Sequence, residues 1–434
     1  MVMCGILYSS NPIIGNLSNL TKRGPDDEKL VQNDLGFFYQ SQLSTQVNNI
    51  QQPAQSNQGI LLYNGTQFEL PSNDVSYILN NLTQSTNQCV EFIKTLLGDF
   101  AIIWVTEKNI VLARDFGGNK PLFYGISENQ FCAASTEQQV KQQGLLPHIV
   151  PANTILIFNR YGLITQDTSR DFNLTQHVDN FDCVIEHFER SVLERYQEST
   201  ALTLSSGIDS GMIAACLNRK KKIYLAATRV GQEDHNILEK RFLLHTGPKL
   251  VFNDIELDTF RSISQLQFSM IAQNDQICQV AWYIAEKISK QGYRYILSGT
   301  GADEIYSDYG WNGNRYSSYS QFGGIFPNNL VDIWPWMLNN QLPLYDCVLI
   351  EDFVYGLHGM DSRNPFLDVR LIQSWLNLVP KLKNDQYKYW QQHYLQSMKF
   401  PYTIDKKPLL IPSNVRANTF LNNQQSKIQE KLNH

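Results

Sequence analysis

Two segments rich in glycine and serine in the second half of the chain carry acidic residues. The first is Leu204-Ser205-Ser206-Gly207-Ile208-Asp209-Ser210-Gly211, after a short apolar run and before a helical pattern. Small residues there let backbone N–H groups converge on an anion at a helix N-terminus. The serine hydroxyls add donors, and Asp209 can hold a Mg2+ that bridges phosphates. Alone, this segment is equally an ordinary Gly/Ser turn, and without a following Gly-Lys-Ser/Thr it is not a Walker A loop. The second segment, Ser298-Gly299-Thr300-Gly301-Ala302-Asp303-Glu304, also follows a buried apolar run. In an open parallel sheet, ligands bind at the carboxyl ends of strands. The pair therefore predicts Asp209 and Asp303 at one crevice, sharing a Mg2+.

The elements that must position these loops have the right pattern. Val184 to Tyr196 reads as an amphipathic helix, Ala201 to Leu204 as a short buried strand, and Ser210 to Asn218 as a helix. Lys222 to Ala227 and Tyr295 to Leu297 repeat the buried-strand signature with helices between, which predicts a parallel α/β sheet. The first part of the chain differs. Gly59 to Tyr63 reads as a strand running into a tight turn at Asn64-Gly65. Phe100 to Val105 with Ile110 to Ala113, and Ile155 to Phe158 with the turn residues 159–162, read as hairpins. Val75 to Leu82 and Cys89 to Leu97 have helical periodicity, so this part is α+β. The boundary falls in the polar stretch Gln166 to Asn180, giving domains 1–170 and 180–434.

Composition narrows the classes. The chain has 434 residues, 42% hydrophobic and 18% charged, with a formal net charge of -5. Two domains are expected at that length. The charge offers no polyanion footprint, so nucleic acid is not an expected partner. No apolar run approaches the roughly 18 residues that would cross a bilayer, and the start lacks an export or transit pattern. The seven cysteines are scattered and never in CxxC spacing, which predicts reduced thiols in a cytoplasmic setting. The eight histidines form no HxxxH or HxxH pair. The aromatic stretch Tyr306 to Phe326 and Trp334-Pro335-Trp336 are expected to pack between helices.

The loop at 204–211 resembles the pyrophosphate loop of asparagine synthetases, Ser-Gly-Gly-x-Asp-Ser, with Ser206 in place of the first glycine. Ser298 to Glu304 is similar to that family's Ser-Gly-Glu-Gly-Ala-Asp-Glu. His358-Gly359-Met360-Asp361-Ser362-Arg363-Asn364-Pro365-Phe366-Leu367-Asp368 is similar to its late Glu-x-Arg-x-Pro-Phe-Leu-Asp, and Lys406-Lys407-Pro408 to its C-terminal lysine segment. The first half resembles a class II glutamine amidotransferase domain. The residues that carry this are Cys4-Gly5-Ile6, Arg23-Gly24-Pro25-Asp26, Asn64-Gly65, Asp74, Gly98-Asp99-Phe100, Ala113-Arg114-Asp115 and Lys120 to Gly125. The resemblance implies an α+β Ntn-type glutaminase sandwich followed by an α/β parallel-sheet ATP-pyrophosphatase domain.

It also implies a chemistry. A substrate carboxylate, aspartate in the family, attacks the α-phosphate of ATP to give an acyl-adenylate and pyrophosphate, and ammonia from glutamine displaces AMP. By resemblance, Ser205, Gly207, Asp209 and Ser210 bind pyrophosphate, and Leu204, Ser298 and Gly299 line the nucleotide pocket. Asp209 and Asp303 hold Mg2+, Lys407 neutralises the leaving group, and Asp361, Asp303 and Arg363 serve the substrate. In the first domain Cys4 is the nucleophile, Asn64 and Gly65 form the oxyanion hole, and Asp74 holds the α-ammonium of glutamine. A homodimer or a larger protein assembly is compatible with the sequence.

Several positions depart from the pattern. Cys4 is not residue 1, and a peptide-bonded cysteine has no free α-amine to act as base, although a start at Met3 with methionine removal would expose it. Gln42 stands where the family arginine grips the glutamine carboxylate, a loss worth on the order of 1.5–3 kcal/mol of binding. Thr300 stands in place of a glutamate, and Asp361 is one methylene shorter than its counterpart. Three expectations follow: a glutamine- or ammonia-dependent asparagine synthetase-like ligase, an amide or β-lactam synthetase using another carboxylate, or a catalytically reduced structural or regulatory subunit.

Overall fold

In the computed structural model, residues 4–43, 51–70, 73–159, 162–218, 223–228, 234–252, 276–338 and 343–404 are described. The Lys406-Lys407-Pro408 segment lies outside them.

The first half is built from alternating strands. They are β1 (Cys4–Ser9), β2 (Asp27–Asn33), β3 (Gly36–Gln42), β4 (Ala54–Gln55), β5 (Ile60–Thr66), β6 (Asp99–Val105), β7 (Ile110–Arg114), β8 (Phe123–Ser127), β9 (Gln130–Ala134), β10 (His148–Ile149), β11 (Thr154–Asn159) and β12 (Gly162–Thr168). They form two six-stranded sheets, in the orders β10-β8-β9-β1-β3-β2 and β12-β11-β7-β6-β5-β4. Successive side chains on a strand face opposite ways. On β1, Cys4, Ile6 and Tyr8 therefore meet Ile60, Leu62, Ala101 and Ile103 of the other sheet in a shared core. The outer faces are covered by helices. Leu20 of α1 (Ser18–Arg23) lies on the first sheet. Val75 and Ile78 of α2 (Asp74–Asn81), with Val90 and Ile93 of α3 (Thr86–Lys94), lie on the second. This helix–sheet–sheet–helix layering is the Ntn-type sandwich expected.

One local expectation fails. Asn64 and Gly65 form no turn but continue β5, paired with Ala101 and Phe100 of β6. Gly65 has φ 156°, and a Cβ there would lie 2.1 Å from Asp99 O. The glycine serves close strand approach, a use of Gly within a strand that sequence cannot tell from a turn.

The second half is a five-stranded sheet in the order β15-β14-β13-β16-β19, all parallel. Its strands are β13 (Thr200–Leu204), β14 (Tyr224–Thr228), β15 (Lys249–Phe252), β16 (Tyr295–Leu297) and β19 (Asp361–Arg363); the two-residue strands β17 (Gly310–Trp311) and β18 (Asn314–Arg315) make a separate ribbon. The strand at Asp361 was not anticipated, since Asp361-Ser362-Arg363 lacks the apolar run that marked the other strands. Both sheet faces are covered. Leu202 and Leu204 pack with α5 (Asp182–Arg195) and α6 (Ile208–Leu217). Ala201, Ala226 and Ile296 pack with Ile284 and Ile288 of α8 (Gln276–Ser289) and Val354 of α10 (Pro343–Leu357). Here α7 is His235–Leu244 and α9 is Ala302–Tyr306. As expected, Phe322, Phe326, Trp334 and Trp336 cluster, with Phe326 and Trp336 against Trp375.

The chain runs outward from β13 to β14 and β15, then returns to β16 on the other side of β13. The crevice between the carboxyl ends of β13 and β16 is thus the topological switch point, where ligands bind in such sheets. Both acid-bearing loops leave from it. Between β12 and α5 the chain is fixed to the second half: His177 N and Val178 N donate to Asn377 O, and Val379 N donates to Val178 O. No described helix is long and apolar enough to cross a membrane.

Candidate active site

The loop after β13 is shaped from behind by a buried arginine. Arg241 of α7 donates through Nη1 to Gly207 O at 2.9 Å and to Ser205 O, and through Nε to Pro401 O. Arg241 thereby holds the carbonyl side of the loop. Gly211 leaves room for the guanidinium, since a Cβ there would displace Arg241 from the loop. Ser210 Oγ accepts from Ser205 N at 3.0 Å and shares a 2.8 Å hydrogen bond with Ser205 Oγ, which in turn accepts from Gly207 N. Ser206 Oγ accepts from Asp234 N at 3.1 Å. Apart from Asp209, every residue of α6 is buried. The helix is therefore anchored in the core while its first turn presents one carboxylate to the crevice.

Asp209 and Asp303 do meet. Lys388 Nζ lies 2.6 and 2.7 Å from the two Asp209 oxygens and 2.8 Å from Asp303 Oδ1. Tyr387 donates to Asp303 Oδ1 at 3.2 Å. Burial opposes the Lys388 charge, but the two carboxylates outweigh it and hold the ammonium well above the ordinary lysine range. Sequence reasoning missed Lys388; no motif marks it. Gly299 places the second loop against the first, since a Cβ there would lie 3.0 Å from Asp209 Cβ.

A third carboxylate was also missed. Glu351 Oε1, from the middle of α10, accepts from Ser298 Oγ at 2.6 Å and from Thr300 Oγ1 at 2.8 Å. Ser362 Oγ lies 3.4 Å from its Oε2. Burial raises its pKa to about 7, against the lowering effect of the two short hydrogen bonds.

Asp361 and Arg363 lie elsewhere in the arrangement. Asp361 accepts from Lys120 Nζ at 2.7 Å and from Arg363 Nε at 2.8 Å, all three buried. Burial would raise the Asp361 pKa, but Lys120 and Arg363 lower it below the usual range. Arg363 Nη1 donates to Arg195 O. Asp361 is thus neutralised between the two halves of the chain. The adjoining residue of α10 to Glu351, Asp352, pairs with Arg23 at 2.6 Å.

In the sandwich, Cys4 opens β1 with its side chain fully buried. Its N–H donates to Asn64 Oδ1 at 2.9 Å, and Gln40 Nε2 donates to its Sγ at 3.0 Å. Burial pushes the thiol up to about 12, with the Gln40 bond pulling the other way. Asn64 Nδ2 is buried and meets no acceptor among the described residues. Asp74, at the start of α2, accepts from Val75 N at 2.9 Å and Gln67 N at 3.4 Å, and burial raises its pKa. Gln42 lies opposite Cys4 in the β1–β3 pairing. Gln40, two residues earlier on the same face, was not singled out from sequence. Replacing Gly65 by alanine is expected to force β5 from β6 and to lower thermal stability by several degrees, read by a melting curve.

A glutamine amidotransferase domain model matches residues 48–142, and an asparagine synthase model matches residues 184–342. A putative asparagine synthetase (glutamine-hydrolyzing) of Methanocaldococcus jannaschii is 23% identical over 343 residues, 69% of this chain and 61% of that one. The asparagine synthetase (glutamine-hydrolyzing) of Homo sapiens is 24% identical over 331 residues, 65% of this chain and 56% of that one. The chain thus spans about three fifths of the length of the curated relatives it matches. A solved glutamine phosphoribosylpyrophosphate amidotransferase from B. subtilis aligns at 13% identity over 94% of this chain and 99% of that one, with a TM-score of only 0.34. Matched in both halves and in the same order, the chain is a divergent member of the asparagine synthetase family.

Proposed function

We propose that the chain forms an amide from a carboxylate at the expense of ATP, through an acyl-adenylate, with aspartate as the acyl substrate and ammonia or glutamine as nitrogen source. The observation that carries this is the convergence of Asp209 and Asp303, from two strand-end loops at the switch point, on one cation. Two carboxylates that already share a cation fit Mg2+, which is bound by one or two carboxylates together with substrate phosphates. Mg2+ would compete with Lys388 for those oxygens, and it would supply charge neutralisation on the departing pyrophosphate. Ser205, Gly207 and Ser210 would bind the pyrophosphate oxygens at the first turn of α6. Ser298, Gly299 and Leu204 would border the nucleotide, and Lys388 would add positive charge near the phosphates, the part also proposed for Lys407. Asp361 and Arg363 would act by holding β19 rather than by touching substrate.

The test is release of AMP and pyrophosphate from ATP, Mg2+ and aspartate, with glutamine or ammonium in parallel reactions. AMP matched by asparagine supports the reading. No AMP with aspartate under either condition, while another carboxylate yields it, moves the acyl substrate. No AMP with any carboxylate leaves the structural role.

For the sandwich, Asn64 Nδ2, which meets no acceptor among the described residues, supports an oxyanion donor, with Asp74 near the substrate ammonium. The thiol itself needs a base, and a free Cys4 α-amine would supply it. Cys4→Ala is expected to lower the glutamine-dependent rate by about 10²-fold or more and to leave the ammonium-dependent rate unchanged. Equal loss with both donors would show that Cys4 is structural.

A further inference from the structure

Glu351 is a carboxylate held on neutral donors. Ser298 and Thr300 both give their hydroxyl protons to Oε1, and Ser362 approaches Oε2. No cationic side chain pairs with it among the described residues, whereas Asp209, Asp303, Asp352 and Asp361 each have one. Glu304 and Tyr355 also act on it electrostatically, and neither brings positive charge. Glu351 is partly exposed, so a docking cation can reach it, and a carboxylate held only on neutral donors gains from one. Its position is specific. Ser298 and Thr300 flank Gly299, which packs on Asp209, so Glu351 lies at the floor of the loop that borders the phosphate site. The loop residue that departs from the acidic pattern, Thr300, is one of the two that bind it.

We propose that Glu351 is the anionic anchor of the acyl-substrate pocket and pairs with an ammonium group on that substrate. The acyl substrate is thereby an amino acid and not a simple dicarboxylate. The acid comes from α10 instead of from position 300, with Thr300 and Ser298 as positioning residues that aim it. This rests on the adenylation reading above and adds the substrate's charge pattern to it. The raised pKa is consistent with an anchor that becomes fully ionised when an ammonium docks.

The test is ATP–pyrophosphate isotope exchange, which needs no nitrogen donor, with L-aspartate and succinate as a pair differing by the ammonium. The wild type should show a KM for aspartate at least about tenfold below that for succinate. Glu351→Gln, which keeps the shape and an oxygen for Ser298, should raise the aspartate KM by about tenfold or more. It should leave the KM for ATP and for succinate within about twofold, which also shows that the variant folds. Thr300→Glu in the Glu351→Gln background should restore most of the aspartate preference, because the acid returns to the same place from the loop. An unchanged aspartate KM in Glu351→Gln, or a wild type that favours succinate, overturns the anchor while leaving adenylation standing. No exchange with any carboxylate overturns the adenylation reading and the anchor with it.

Discussion

Asp209→Asn is expected to lower AMP release by about 10³-fold at saturating ATP, Mg2+ and aspartate. The reasoning starts from the arrangement around Lys388, which touches both oxygens of Asp209 and one of Asp303. An amide at 209 removes one of the two anionic ligands that a Mg2+–pyrophosphate complex would share. Hard cations bind through anionic oxygens, and Mg2+ leaves its hydration shell reluctantly. Structure should survive the change. Asp209 is the only residue of α6 that is not buried, and Lys388 keeps Asp303 as a partner. The variant should therefore melt near the wild-type temperature while requiring far more Mg2+ for any residual rate. A rate within tenfold of wild type, with an unshifted Mg2+ requirement, would remove Asp209 from the metal and nucleotide site.

What could be read from the sequence follows the range of the interactions. Strands such as Tyr295–Leu297 and helices such as Asp74–Asn81 are set by local pattern, and those were legible within a residue or two. The parallel sheet was legible because strands alternated with helices. The meeting of Asp209 and Asp303 was legible because fold topology puts strand-end loops together. Asn64-Gly65 misled because the same dipeptide serves a turn or a close strand approach, and only the position of Asp99 O decides between them. Lys388, Glu351 and Gln40 were missed for a different reason. Each has partners 36 or more positions away, from a surrounding without a motif. Asp361 illustrates the converse: its motif drew attention, yet its carboxylate is occupied by Lys120 from the other half.

That last contact leads to the largest expected effect on stability. Lys120→Met is expected to cost roughly 1–3 kcal/mol of unfolding free energy, the range for taking a buried donor from groups that keep another partner. Lys120 Nζ is 2.7 Å from Asp361 Oδ1, 3.3 Å from Ser362 O and 3.9 Å from Asp352 Oδ1, and all of these residues are buried. Methionine would fill the space but leave Asp361 to Arg363 alone and Asp352 to Arg23 alone. The pH dependence has a definite sign. Asp361 has a folded pKa below its unfolded value, so its contribution is present above the ordinary carboxylate range and lost as pH falls through the folded pKa. Burial opposes the Lys120 charge, but Asp361 and Asp352 outweigh it and raise its pKa. Its contribution is present below the ordinary lysine pKa and is lost as pH rises through the folded value. The wild-type advantage over Lys120→Met should therefore be broad and flat between about pH 5 and pH 9 and shrink outside that window. Because the contact joins the two halves, urea unfolding of the variant should also resolve into two transitions, the sandwich and the parallel-sheet domain melting apart. Adding Asp361→Asn should deepen the loss, since it takes the carboxylate from buried Arg363 as well. A single transition with an unchanged midpoint would mean that the halves are held by packing and that this charge cluster contributes little.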